Sequence, residues 1–171
     1  MINSQEYGEY TDLYDENKKI TDKKIFRKKG CKLNVPKGYY NIVVLAFIKN
    51  SKGEFLLQKT SKNKGSVWAV TGGHVKSGST SFNCVIDEIN EELGILIDEN
   101  DIKFFKTYKY ETAFKDVYYI EKDIDVNSLV YEKEEVECAK YFTVDEINEL
   151  INNNELRKTN IYAFLDIIRI N

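Results

Sequence analysis

The chain has 171 residues, 42% of them hydrophobic and 31% charged, and a formal net charge of -3. These values are typical of one globular domain, and the small net charge, with lysines interleaved among acids, argues against binding a nucleic-acid polymer or an anionic membrane. No apolar stretch is long enough to span a bilayer, the N-terminus lacks a signal-peptide pattern and the three cysteines are scattered, so we predict a cytoplasmic protein with reduced thiols.

The N-terminal part, residues 1–38, is predicted to be a polar extension of the domain. A short strand within 10–17 ends in a turn, and 25–27 is expected to pair back on it as a β-hairpin. The only proline, Pro36, lies in the linker that follows.

Strand patterns dominate the domain itself, which we predict over 39–171. The continuous apolar run at 42–48 predicts a buried strand, and 55–58 predicts its antiparallel partner across a turn. Further strands are predicted at 67–71, 95–97, 104–110, 117–121 and 136–142.

Helix signals follow the third strand and recur near the C-terminus. One helix is expected over 80–93, with Gly94 at its end and an N-cap at Ser79, Thr80 or Ser81. A capping-box pattern at 143–146 predicts a second helix to about 151, and apolar spacing predicts an amphipathic helix over 160–170. The fold class is therefore α+β.

Four carboxylates share one face of the predicted helix 80–93. At about 100° per residue, Asp87, Glu88, Glu91 and Glu92 fall within about 140°, and the apolar residues lie on the other side. Like charges at this spacing repel one another and favour a counter-charge. Because Mg²⁺ prefers carboxylate oxygens, the pattern indicates a metal site. The same spacing is equally compatible with an alternative interpretation, in which the carboxylates form an ordinary acidic face in contact with solvent.

The segment that begins at Gly73 resembles the Nudix box, G-x5-E-x7-R-E-U-x-E-E-x-G-U, in which U is aliphatic. The matching positions are Gly73, Glu88, Ile89, Glu91, Glu92, Gly94 and Ile95. The flanks at 56–75 and 135–147 are also similar to the family, so the resemblance covers about residues 40–170. The N-terminal hairpin resembles the branch related to isopentenyl-diphosphate isomerase.

This resemblance implies a mixed β-sheet sandwiched between helices and hydrolysis of a nucleoside diphosphate linked to another group. It implies that Glu91 and Glu92 bind Mg²⁺ or Mn²⁺, that Glu88 is a third ligand or the general base, and that the Gly73 carbonyl completes the metal shell. Such a metal neutralises the diphosphate and lowers the pKa of bound water. The implied partner is a small diphosphate compound, and a homodimer is compatible with the pattern.

Two box positions depart from the family. Ser79 replaces the first glutamate, and Asp87 replaces the arginine, which in the family orients a catalytic glutamate. Loss of such a partner typically costs 10–100-fold in activity or metal affinity. Asp87 either joins the ligand set or is a surface acid.

Three functions remain as hypotheses. The first is an active diphosphate hydrolase, supported by Glu88, Glu91 and Glu92. The second is a catalytically impaired domain that binds a nucleotide, metabolite or protein, supported by the two departures. The third, isomerase activity, is disfavoured because Gly72 stands where that chemistry uses a cysteine.

Several other residues have a structural and a functional interpretation. For His74, Trp68 and Cys84 we favour structural roles. Three loop lysines suit substrate phosphates, although a solvated loop is the default interpretation: Lys59, Lys62 and Lys64. Glu135 or Glu137 suits an extra metal ligand or base, and a surface role explains each equally well.

Overall fold

The computed structural model describes residues 7–28 and 30–170, which form eight β-strands and three α-helices. The strands are Gly8–Tyr14 (β1), Ile20–Lys28 (β2), Asn41–Lys49 (β3), Phe55–Thr60 (β4), Trp68–Ala69 (β5), Ile102–Tyr110 (β6), Ala113–Glu121 (β7) and Val136–Phe142 (β8). The helices are Ser81–Leu93 (α1), Val144–Asn152 (α2) and Lys158–Ile170 (α3). Residues 1–6 and 29 of the predicted extension, and residue 171 of the predicted domain, lie outside the described residues.

Strands β1 and β2 form an antiparallel hairpin, which confirms that prediction. The hairpin is attached to the rest of the chain by backbone pairing between Tyr14 and Tyr40, whose N–H and C=O groups bond in both directions at 2.7 and 2.9 Å. The Thr11 hydroxyl also donates to the Val75 carbonyl at 2.8 Å. The hairpin therefore lies beside the segment that leads into α1.

The main sheet has the strand order β5-β4-β3-β7-β6, and β8 pairs with β4 along its whole length, from Phe55 to Thr60. Strands β3 and β7 are parallel, and the other pairs are antiparallel. Strand β4 pairs with β3 only at Ile48–Leu56 and Lys49–Phe55. Beyond that point the backbone of 71–75 occupies the edge of β3, which places this loop in the middle of the molecule.

Both faces of the sheet are covered, so β3 is buried on both sides as its unbroken apolar sequence predicts. One face of β3 packs with α1 through residues such as Val44, Val85 and Ile89. The other packs with α2 and α3 through residues such as Phe47, Ile147 and Phe164. Each fully buried side chain of this size contributes about 1.5–3 kcal/mol.

Most predicted elements are present with boundaries within a few residues of those observed. The capping box of α2 is confirmed, with the Thr143 hydroxyl accepting from the Glu146 N–H and the Glu146 carboxylate accepting in return from the Thr143 N–H. The strand predicted at 95–97 is wrong: this segment pairs with no strand, and its apolar residues instead pack on the α1 side of the core. Within the described chain, no helix is long and apolar enough to cross a membrane.

Candidate active site

Helix α1 has fixed ends and one buried face, which determine where its acidic residues lie. Thr80 is the N-cap and accepts a hydrogen bond from the Asn83 N–H at 3.1 Å. Gly94 ends the helix in the left-handed conformation at φ 67°. The face toward the core carries Cys84, Val85, Ile89 and Leu93. The glutamates are thereby turned toward the loop at 71–76.

The predicted residues Gly73, Glu88, Glu91 and Glu92 all line one cavity of about 340 Å³. Glu92 is buried, with 7% of its surface exposed, whereas Glu88 is half-buried and Glu91 is exposed. The cavity therefore places the three carboxylates at different depths along one wall.

Glu92 is held by hydrogen bonds from β4 and from the loop before α1. The Gln58 amide donates to its Oε2 at 2.8 Å, and the Gly72 N–H donates to the same atom at 3.3 Å. The Thr71 hydroxyl donates to Gln58 Oε1 at 2.9 Å, which fixes the orientation of the amide. Burial raises the pKa of Glu92 to about 7, although the bonds from Gln58 and Gly72 favour the charged form.

Glu88 lies against the Cα of Gly73 so closely that a Cβ at this position would overlap its carboxylate. A larger residue there would force the Glu88 carboxylate to move away. Burial raises the pKa of Glu88 to about 8, and the charges of Glu92 and Glu91 add to this effect. The Gly73 carbonyl accepts a hydrogen bond from the Val44 N–H at 2.9 Å, which leaves its second lone pair for another donor or a cation.

Glu91 pairs with the ammonium of Lys76 at 3.6 Å. Among residues 7–28 and 30–170, no three His, Cys, Asp or Glu side chains converge closely enough to form a complete cation site. The donor set nevertheless fits a hard divalent cation in its chemistry, because Glu88 and Glu92 are desolvated carboxylates and the charges of Glu92 and Glu91 repel that of Glu88. Glu91 has to turn from Lys76 to join such a site.

The two positions that depart from the box lie away from the lining of the cavity. Asp87 is exposed on α1, so it is a surface acid rather than a member of the ligand set. The Ser79 hydroxyl makes only a 3.4 Å contact with the Thr80 carbonyl. Neither residue replaces the charge that the family has at its position.

Basic residues also line the cavity. Lys115 on β7 has only 7% of its surface exposed, and its ammonium donates to the Thr159 carbonyl at 3.4 Å. Burial lowers its pKa to about 8, and the nearby Arg157 guanidinium lowers it further. Burial also lowers the pKa of Arg157, which the charges of Glu92 and Glu135 oppose. Two desolvated cations therefore share the cavity with the glutamates, and Arg157 interacts with Glu92.

A second cavity of about 380 Å³ adjoins the first, and Leu45, Lys115 and Thr159 line both. Its further lining includes three tyrosines of β6 and α3, which are Tyr108, Tyr110 and Tyr162. The Lys115 ammonium lies 4.7 Å from the centre of the Tyr110 ring. The glutamates therefore line the first cavity, the tyrosines line the second, and Lys115 lies where the two adjoin.

The hairpin supplies a third part of the lining, through Glu9 and Arg27. Arg27 Nη1 lies 3.0 Å from Nδ1 of His74, and its Nη2 donates to Glu9 at 2.8 Å. Burial, followed by the charge of Arg27, lowers the pKa of His74 to about 4. His74 is therefore neutral and held by Arg27, in agreement with the structural role favoured for it.

The other sequence candidates are divided between the cavity and the surface. Lys64 and Glu135 line the cavity and pair with each other at 2.8 Å. Trp68 packs edge-on against Phe142, with 4.7 Å between ring centres, and does not line the cavity. Lys59, Lys62 and Glu137 are likewise outside the lining.

Sequence reasoning missed Gln58, Lys115 and Arg157, and it missed the pair from the hairpin. Lys115 had a usable signal, since it is a lone lysine in the largely apolar run at 113–120. The other residues stand in ordinary polar surroundings and reach the site only through the tertiary structure.

Comparisons with known proteins agree with this architecture. The NUDIX domain family matches residues 39–164. An uncharacterized Nudix hydrolase of Listeria monocytogenes is 34% identical over 148 residues, which is 84% of this chain and 85% of that protein. The crystal structure of a Deinococcus radiodurans protein superposes with a TM-score of 0.73 at 23% identity, covering 90% of this chain and 94% of that one.

A further solved structure is the NUDIX domain of Shewanella oneidensis NrtR in complex with ADP ribose. It superposes with a TM-score of 0.54 at 11% identity, covering 64% of this chain and 77% of that one. The likeness of the hairpin to the isomerase branch stays a prediction. The α+β fold is confirmed, and the family match, together with the Listeria relative, shows that the chain belongs to the Nudix family of pyrophosphohydrolases.

Proposed function

We propose that this chain hydrolyses a diphosphate linkage in a nucleoside diphosphate attached to another group, with Mg²⁺ or Mn²⁺ as cofactor. The observation that carries the proposal is one cavity lined by Glu88, Glu91 and Glu92 together with Lys115 and Arg157. A diphosphate is strongly anionic, so it suits a site that offers a metal on one side and fixed cations on the other. ADP ribose, bound by the Shewanella domain, belongs to this chemical class.

Each residue has a role that follows from its surroundings. Glu91, Glu92 and the Gly73 carbonyl hold the metal, which when bound supplies charge neutralisation and a more acidic water. Glu88 accepts the proton of the attacking water on a carboxylate oxygen, and its raised pKa makes it a better base than an exposed carboxylate. Gln58 is a positioning residue, since it orients Glu92.

The adjoining cavity receives the part of the substrate beyond the diphosphate. Lys115 lies between the two cavities, where it contacts a phosphate oxygen. The rings of Tyr110 and Tyr162, with centres 6.5 Å apart, offer aromatic faces to a planar group. Substrates that carry a heterocycle beyond the diphosphate are therefore favoured over substrates that lack one.

The test is chromatographic detection of the monophosphate products from a panel of nucleotide sugars, dinucleoside polyphosphates, nucleoside diphosphates and coenzyme A with Mg²⁺ or Mn²⁺. We expect metal-dependent turnover of at least one compound and a loss of about 10²–10⁴-fold in Glu92→Gln and Glu88→Gln. Glu149→Gln is the matched control, because Glu149 is exposed on α2 and lies outside the lining of the cavity. Turnover that survives in Glu92→Gln would refute the assignment of the carboxylates.

A catalytically impaired binding module is the second candidate. Two observations favour it. Asp87 stands where the Nudix box has an arginine, and Glu91 forms an ion pair with Lys76. No turnover across the panel, with saturable binding of one of its compounds to the folded protein, would select this function. A homodimer and a cytoplasmic location stay predictions, and light scattering tests the first.

A further inference from the structure

The box of this chain lacks one acid and one arginine, at Ser79 and Asp87. Neither position sends a charged side chain into the cavity. The hairpin brings one acid and one arginine to the same cavity from outside the family match at 39–164. These residues, Glu9 and Arg27, are direct cross-strand partners in the register of β1 and β2. One antiparallel pair thus delivers both charges together.

A chain of alternating charges connects the hairpin to α1. Arg27 donates to Glu9 at 2.8 Å, Glu9 lies 3.8 Å from Lys76, and Lys76 lies 3.6 Å from Glu91. The side chains of Glu9 and Arg27 are only 25% and 24% exposed, so solvent screens this pair less than a surface ion pair. Successive ion pairs therefore connect the hairpin to the glutamates of α1.

The hairpin also has a defined position over the loop that precedes α1. The Ser77 N–H donates to the Tyr10 carbonyl at 2.7 Å, and the Asp12 carboxylate accepts from the Ser77 hydroxyl at 2.6 Å and from the Gly78 N–H at 2.9 Å. All four residues of β1 from 9 to 12 thus contact this loop. Arg27, the cross-strand partner of Glu9, therefore has a defined position beside it.

Arg27 keeps donors for a ligand after these contacts. A guanidinium has five N–H donors. One on Nη2 bonds to Glu9 and one on Nη1 to His74, while Nε is buried without a partner among the described residues. One further N–H remains on each Nη nitrogen, and this arrangement suits phosphate oxygens.

We propose that the hairpin is part of the active site: Arg27 binds an oxygen of the substrate diphosphate, and Glu9 is a positioning residue that orients Arg27 and Lys76. The pair replaces the two charges missing from the box. This inference rests on the proposed function for the identity of the ligand as a diphosphate.

The experiment is calorimetric titration with methylenediphosphonate, a diphosphate analogue that cannot be hydrolysed at its bridge, in the presence of Mg²⁺. We expect Arg27→Gln to weaken binding about tenfold or more, because it removes charge-assisted hydrogen bonds. Glu9→Gln is expected to weaken binding less. The matched control is Lys24→Gln, which removes the same charge from an exposed position on the same strand.

A merely structural role predicts a different pattern. It lowers the thermal midpoint together with the affinity, whereas the proposal predicts weaker binding at an unchanged midpoint. If Arg27→Gln fails to fold, the double variant Glu9→Gln/Arg27→Gln leaves no unpaired charge and gives the same test. Equal affinities in the Arg27 and Lys24 variants, or a loss of binding that follows the midpoint, would overturn the proposal.

The result is separable from that of the hydrolysis panel. Binding of the analogue needs no turnover, so an Arg27-dependent affinity in a protein that hydrolyses nothing supports the hairpin site and refutes the hydrolase. If the protein hydrolyses a compound and its affinity for the analogue does not depend on Arg27, the hydrolase is supported and the hairpin site is refuted.

Discussion

At the scale of single residues, Gly73 is the point of closest approach between the loop before α1 and the helix itself. Because a Cβ would overlap the Glu88 carboxylate and force this flexible side chain to turn away, we expect Gly73→Ala to abolish most activity and to destabilise the fold by about 1 kcal/mol. Denaturant unfolding and the hydrolysis assay check this.

A double variant separates the overlap from any other effect of Gly73→Ala. Removing the carboxylate in Gly73→Ala/Glu88→Ala eliminates the clash, so most of the lost stability should return, which means that the two changes are not additive. Additive losses would show that the glycine is needed for another reason.

The second prediction at this scale concerns Lys115. Its pKa is lowered to about 8, so the side chain is charged below that pH and loses its charge as the pH rises through it. The affinity of the wild type for methylenediphosphonate should therefore exceed that of Lys115→Met at about pH 7, and the difference should shrink by about pH 9. Titration calorimetry at both values measures it, and a constant difference would contradict contact with the anion.

The sequence predicts the residues of the site only where the chemistry is local. Glu88, Glu91 and Glu92 share a helix, so their common face follows from the helical repeat. Gln58 and Lys115 belong to strands far away in the sequence, and no periodicity connects them to α1. Their approach depends on strand order, which local patterns do not determine.

At the scale of the elements, the N-cap of α1 decides where the acidic face begins. Thr80 accepts from the Asn83 N–H, whereas Ser79 makes no cap contact. We expect Thr80→Ala to lower the free energy of unfolding by about 0.5–2 kcal/mol, and Ser79→Ala to change it by much less. Chemical denaturation of the two variants compares them directly, and equal losses would remove the assignment of the cap.

Elements with a strong periodicity or a cap were predicted well, and the exception has a physical explanation. The capping-box sequence of α2 fits only a helix N-terminus, and the unbroken apolar run of β3 fits a strand that is buried on both faces. The segment 95–97 has the apolar composition of a strand, but it pairs with no strand, and burial of Ile95 and Ile97 against the core satisfies its apolar side chains. Composition predicted burial correctly and pairing wrongly.

At the scale of the whole molecule, stability should depend on pH and metal together. The pKa of Glu88 is raised from 4.5 to about 8, and that of Glu92 is raised from 4.5 to about 7. Between pH 4.5 and about 8, the folded protein therefore binds more protons than the unfolded chain. Without divalent metal, these groups make the protein less stable as the pH rises from 4.5 toward 8.

Added Mg²⁺ should offset this loss, and the rise in thermal midpoint that it causes should increase over the same pH range. Differential scanning calorimetry at several pH values, with and without Mg²⁺, measures both effects. Glu88→Gln should flatten the metal-free profile. A midpoint that Mg²⁺ does not change at any pH would contradict the predicted metal site.

The loop before α1 occupies the edge of β3, and the Val44 and Ala46 amides donate to the Gly73 and Thr71 carbonyls, each at 2.9 Å. Val44 is fully buried and Ala46 nearly so, in the strand that pairs with β7 along its whole length. These two amides should exchange their hydrogens with deuterated water only when the entire domain opens. The backbone of the loop before α1 and the core then share one cooperative unit, so side chains of the box can diverge while the peptide framework that carries them stays in place.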